Sequence, residues 1–81
     1  MEHKIYLSTE FDDISADAAY IGTAQTVKEM WQKVNRYFEE HNIKSESYCR
    51  YSMGEKITTI DYGSWSRFLV ISPAFTIEDM V

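Results

Sequence analysis

Only one stretch of this chain repeats its apolar residues at helical spacing. Val27, Met30, Trp31, Val34 and Phe38 fall at i, i+3, i+4, i+7 and i+11, the stripe of one helix face. Thr26 and Glu29 stand ahead of it as a T-x-x-E capping box, and Asn42 follows as a left-handed stop. The spacing predicts a helix over 26–41 whose stripe is core, with Trp31 its largest buried member. Glu39 and Glu40 oppose the helix dipole at its C-terminal end.

Whatever this helix packs on must come from the remaining residues, and they read as strands. Lys4 to Phe11 alternates, with Ile5, Leu7, Thr9 and Phe11 on one side. Tyr48 to Met53, Ile57 to Tyr62 and Arg67 to Ser72 follow as a meander. Gly54-Glu55 is the expected two-residue turn, which sets Cys49 opposite Ile60 and Tyr51 opposite Thr58. Gly63-Ser64 makes a second turn, and Pro73 ends the last strand. Residues 12–25 show no sustained period and read as a long loop, with one helical turn near Ser15–Tyr20 and a change of direction at Gly22. Thr76-x-x-Asp79 marks a short helical start in the tail. The fold class is α+β, a small four-stranded, mostly antiparallel sheet with one amphipathic helix on one face, in β-α-β-β-β order. At 81 residues it forms a single domain.

One helix cannot cover both faces of a sheet. The face left open would carry Tyr6, Tyr48, Ile57 and one of Leu69 and Ile71. Either these aromatics are interface anchors, or the long loop and the tail close a second partial core over them.

The net charge is -5, with -4 over 1–25, +1 over 26–45 and -2 over 46–81. Direct contact with nucleic-acid phosphates needs a basic stripe, and the sequence holds none. The longest apolar run is Phe68-Leu69-Val70-Ile71, far short of the roughly 20 residues that span a bilayer. The first residues lack the pattern of a secretory signal, and the lone Cys49 cannot form an internal disulfide. The expected setting is the cytoplasm, that of the host if a phage encodes the chain.

Sites for chemistry are few. Asp13-x-Ser15-x-Asp17 opens like a calcium loop, but Ala18 and Ala24 stand where the pattern needs Gly and Glu. His3, His41 and Cys49 lack the paired short spacing of a zinc site. Cys49 falls on a core-facing strand position, where a thiol behaves as a small hydrophobe rather than as a nucleophile paired with His41. Asp61, beside Tyr62, faces outward. We therefore expect no catalytic residue, no metal and no cofactor.

The chain resembles, in type rather than in motif, the small acidic, aromatic-rich proteins common in phages and mobile elements. The expected function is a non-catalytic protein-binding module. Its most concrete form is an anti-defence inhibitor, anti-CRISPR-like, that blocks a basic nucleic-acid-binding surface of a larger protein. Glu10, Asp12, Asp13 and Asp17 would supply charge, and Tyr48, Tyr62 and Trp65 would supply anchors. The alternatives are an immunity- or antitoxin-like protein, and an assembly subunit that forms a homodimer through its open sheet face.

Overall fold

The structure, a computed structural model, describes residues 1–44, 49–64 and 66–80. It is α+β, with strands β1 (His3–Ser8), β2 (Ala19–Ala24), β3 (Arg50–Met53), β4 (Thr58–Asp61) and β5 (Phe68–Ser72). Helix α1 (Val27–Glu40) lies between β2 and β3, and a short 3-10 turn, Glu78–Met80, follows β5. The sheet has five strands rather than four, in the order β2-β1-β5-β4-β3, with every neighbouring pair antiparallel. β2 and β3 are the two edges, and α1 connects them across one face.

The fifth strand is β2, inside the segment expected to be a loop. Its register explains why alternation did not reveal it. Ile5 pairs with Gly22 and Tyr6 with Tyr20, so Ile21 is an extra residue in a bulge. A bulge breaks the period of two that marks a strand. Gly22 sits at φ 156°, a region that side chains on Cβ disfavour. The bulge also blunts this edge, and Lys33 Nζ donates to the Thr23 carbonyl while standing 3.8 Å from Glu29.

The helix ends behave as their residues dictate. Thr26 Oγ1 accepts from the Glu29 amide at 3.1 Å, one half of the capping box, while the Glu29 carboxylate faces Lys33 instead. At the far end Asn42 is left-handed, φ 55°. Ile43 N–H donates to Phe38 O at 2.8 Å and Asn42 N–H to Glu39 O at 3.4 Å, the paired bonds of a Schellman motif. They satisfy carbonyls that would otherwise lack partners.

The helix-facing side of the sheet carries His3, Ile5 and Leu7 of β1, Leu69 and Ile71 of β5, and Thr58 and Ile60 of β4, all buried. Met30, Val34 and Phe38 complete this core. Leu69 and Ile71 thus belong to the helix face, and Val70 to the other. Trp31 differs from expectation: it is only partly buried, at the stripe's margin. Its ring is edge-on to Tyr51 at 6.4 Å, and its Nε1–H donates to Tyr51 Oη at 3.0 Å. Tyr51 rather than Cys49 pairs with Ile60, because the turn is centred one residue later, at Glu55-Lys56. Gly54 N–H donates to Ile57 O at 3.0 Å and closes it. A Cβ at Gly54 would lie 2.8 Å from that carbonyl oxygen, so glycine serves the close approach rather than a central turn position.

Phe38→Ala should cost about 3–5 kcal/mol, the range for emptying a buried aromatic site. Trp31→Ala should cost about half that, since part of its surface stays in water. Urea unfolding of the two variants orders them; equal losses would place Trp31 in the core.

Candidate interaction surface

The sheet face opposite the helix is covered in part by residues 9–18, which leave β1 and fold back over it. Ser8 is the pivot, with no exposed surface. Its Oγ accepts from Glu10 N–H at 3.1 Å and Ser15 N–H at 3.0 Å, filling both lone pairs. Its single proton then goes to the closest acceptor, Asp13 O, at 2.8 Å. Ser15, also buried, accepts from Thr9 N–H at 3.0 Å. Two small hydroxyls thereby satisfy backbone groups that the loop does not pair within its own backbone.

Farther out, Asp12 accepts from Thr59 Oγ1 at 2.6 Å, reaching from the loop to a fully buried threonine of β4. Asp12 is left-handed, φ 57°, a conformation that Asp tolerates better than most residues. The Phe11 ring meets Phe68 edge-on at 5.4 Å, and Tyr6 meets Tyr20 at 5.5 Å. The open face is thus neither bare nor fully closed. The loop reaches Thr59 through Asp12, yet Phe11 is 52 % exposed, Ile14 37 % and Tyr20 54 %.

Four carboxylates share this loop with Phe11 and Ile14. Glu10, Asp12, Asp13 and Asp17 are all exposed and all lie in the one loop, as the sequence grouped them. Asp13 Oδ1 accepts from Ile14 N–H at 2.8 Å. Hydrogen bonds from Ser15 and from Thr9, the latter at 2.9 Å, hold the Asp17 carboxyl below the usual carboxylate range. A groove of about 390 Å³ runs between Asp12 and the β3–β4 turn, lined by Gly54, Glu55, Lys56 and Ile57.

The expected anchors fare differently. Tyr62 is a correction: it is 3 % exposed, its ring 4.8 Å from Phe38, and it belongs to the core. Its parity explains this, since the alternation of β4 puts Tyr62 on the same face as Ile60. Burial raises its phenol above the ordinary tyrosine value. Tyr48 and Trp65 lie outside the described residues. The exposed apolar side chains of this loop that sequence reasoning missed are Phe11 and Ile14. Alternation alone makes Phe11 an inward strand residue, but β1 ends at Ser8 and the pattern beyond it has no strand to serve.

Cys49 is partly buried and free. Burial, and then the Asp61 carboxylate, push its thiol above the ordinary value. Among the described residues no three His, Cys, Asp or Glu side chains converge as a metal site, and no helix is long and apolar enough to cross a membrane. Comparison with protein-family models, curated proteins and solved structures gives no match.

Two outcomes are expected. Ser8→Ala leaves Glu10 N–H, Ser15 N–H and Asp13 O without their partner, and should cost about 1–3 kcal/mol. Hydrogen exchange should show the loss at the Glu10 and Ser15 amides, with α1 amides still protected. The Asp17 carboxyl should titrate below its ordinary value of 3.8. A carboxyl depressed by folding adds stability above its unfolded pKa and loses it as pH falls through the folded one. Loop protection should therefore hold above pH 3.8 and fade below it, as an NMR titration of the carboxyl carbons would read.

Proposed function

We propose that this chain is a non-catalytic protein-binding module that presents the 10–17 loop to a basic surface on a larger protein. One observation carries the reading: the acidic loop is held in a single shape by buried Ser8 and Ser15 and by Asp12 on Thr59. Loops that only need to be soluble do not need such fastening. A fixed loop loses little conformational freedom on binding, so more of its contact energy appears as affinity.

The chemistry favours a cationic groove. Four carboxylates at the rim repel nucleic acid and attract arginine and lysine, which raises the encounter rate. Phe11 and Ile14, exposed in the same loop, supply the apolar contact that slows release. A groove built for phosphates is the natural counterpart, because carboxylates can occupy positions meant for phosphate oxygens. In its most concrete form the module is an anti-defence inhibitor from a phage or mobile element that competes with nucleic acid for such a groove. An immunity protein acting on a toxin nuclease would use the same physics.

The test uses substitutions that keep the loop's shape. Asparagine at positions 12, 13 and 17 preserves each side-chain acceptor, and it also tolerates the left-handed backbone at 12. The triple variant D12N/D13N/D17N should keep the helix and sheet of the parent, with the loop on the same hydrogen bonds but held less tightly at position 17. Against a partner captured from the source cell, its association rate should fall by about tenfold or more at low salt, with dissociation little changed. Phe11→Ala should do the reverse, raising dissociation by about tenfold. Binding by the parent that ignores added salt, or a triple variant that associates at the parent's rate, would remove the reading.

A further inference from the structure

The two edges of the sheet are not alike. β2 is bulged at Ile21, and the Lys33 ammonium sits on its Thr23 carbonyl. β3 instead pairs with β4 in unbroken register from Arg50 to Met53, with no bulge and no proline. Among the described residues no strand lies on its outer side. A regular, uncovered edge is a template for another strand.

The ladder fixes which groups this edge offers. In an antiparallel pair, residues that exchange backbone hydrogen bonds alternate with residues that do not. Gly54 N–H donates to Ile57 O, so Gly54, Ser52 and Arg50 turn their amides and carbonyls toward β4. Tyr51 and Met53 therefore turn theirs outward. Their side chains lie opposite Ile60 and Thr58, on the helix side of the sheet, where Tyr51 is 40 % exposed and Met53 36 %. Trp31, partly buried, stands edge-on to Tyr51 and donates to its hydroxyl. The edge thus joins two outward-facing backbone residues to an apolar strip.

We propose that β3 forms a homodimer, paired antiparallel with β3 of a second copy about a two-fold axis at Ser52. This register sets Tyr51 opposite Met53 of the second copy, and Ser52 opposite its own counterpart. Each such Tyr51–Met53 pair exchanges two backbone bonds, so every outward amide and carbonyl of the two residues is used. The same pairing lays each Tyr51 ring against a Met53 side chain and extends the strip begun by Trp31.

Charge points to a second copy rather than to the basic partner of the loop. Residues 50–61 hold Arg50, Glu55, Lys56 and Asp61, for a net charge of zero on a chain that carries -5. A basic surface gains nothing at a neutral edge, whereas two copies meet here without the repulsion their acidic regions would bring. Arg50 falls opposite Gly54 of the second copy, next to its Glu55. The cationic start of the strand thereby meets the anionic corner beyond its end, and the two-fold makes this happen twice. The homodimer does not rest on the loop reading, and either can fail while the other stands.

Sedimentation equilibrium of the full chain should show monomer and dimer exchanging with a Kd of about 10–100 µM, in keeping with so small an interface. Hydrogen exchange at the Tyr51 and Met53 amides should slow as concentration rises, while the Ser52 amide, already on β4, stays as it was. Met53→Pro removes an outward N–H and spares the β4 ladder, so it should fold and remain monomeric. Met53→Lys keeps the backbone and should raise the Kd by about tenfold or more. Tyr20→Lys, on the β2 edge, should leave it unchanged. Ser52 and its counterpart form a non-hydrogen-bonded pair, close enough for a disulfide, so the C49S/S52C variant should crosslink as a dimer on mild oxidation. A parent that stays monomeric to about 1 mM leaves this edge to a strand of another protein and overturns the homodimer. Parental dimerisation by both Met53 variants, a Kd moved as far by Tyr20→Lys, or a dimer that does not crosslink at position 52 would overturn it as well.

Discussion

A single helix can remove only one face of a five-stranded sheet from water, and among the described residues one helix, α1, is long enough for the task. The other face has to be closed by loop, and a loop brings its own unpaired amides and carbonyls to a surface where each costs free energy if left dry. Ser8 resolves the conflict. It sits at the end of β1 on the face away from α1, and its one hydroxyl ties three backbone groups of the returning loop. Thr59 adds a side-chain tie from β4, its hydroxyl donating to the Asp12 carboxylate. The second face is therefore covered by a polar lattice rather than by a second hydrophobic core. That arrangement leaves aromatic side chains half in water.

This division of labour separates stability from recognition. The residues that hold α1 to the sheet, Met30, Val34, Phe38, Ile60 and Leu69, are inaccessible to a partner. The residues that a partner would meet hang from hydroxyl hydrogen bonds whose individual worth is about 1 kcal/mol. Carboxylates can gather in that loop because they remain in water, where mutual repulsion is screened within about 10 Å. Buried against the helix face they would each need a cation.

The sequence was most readable where a period survives intact. The helical stripe, its Thr26 cap and the left-handed Asn42 are visible in the residues because each has a local physical cause. The meander was readable in outline, but its register slipped by one residue at the turn. Two neighbouring placements of a glycine satisfied the same turn rule, and only the closeness of Gly54 to Ile57 O distinguishes them. β2 was hidden because a bulge at Ile21 destroys alternation, and because a strand rich in Ala, Gly and Thr at an edge has little hydrophobic signal to lose. The acidity of the candidate surface was legible from composition. Its apolar centre was not, since Phe11 continues the alternation of β1 past the point where the strand stops. Tyr62 shows the converse: a tyrosine next to a turn looks available, and only pairing with the buried face reveals that it is core.

The middle of the sheet joins β1 to β5, and Leu7 pairs with Leu69 across more than three-quarters of the chain. A ribosome releases β1 first and β5 last. Until β5 arrives, the hairpin of β1 and β2 and the hairpin of β3 and β4 each have one central edge without a partner. The emerging chain thus has no complete sheet until its last strand is out, and until then Ile5 and Ile60 cannot share a core. Non-local pairing of this kind also makes for slow folding relative to chain length. Completion is abrupt, since a single five-residue strand brings both halves together. A shortened product that lacked β5 would be an exposed pair of sticky edges and a natural target for cellular proteolysis.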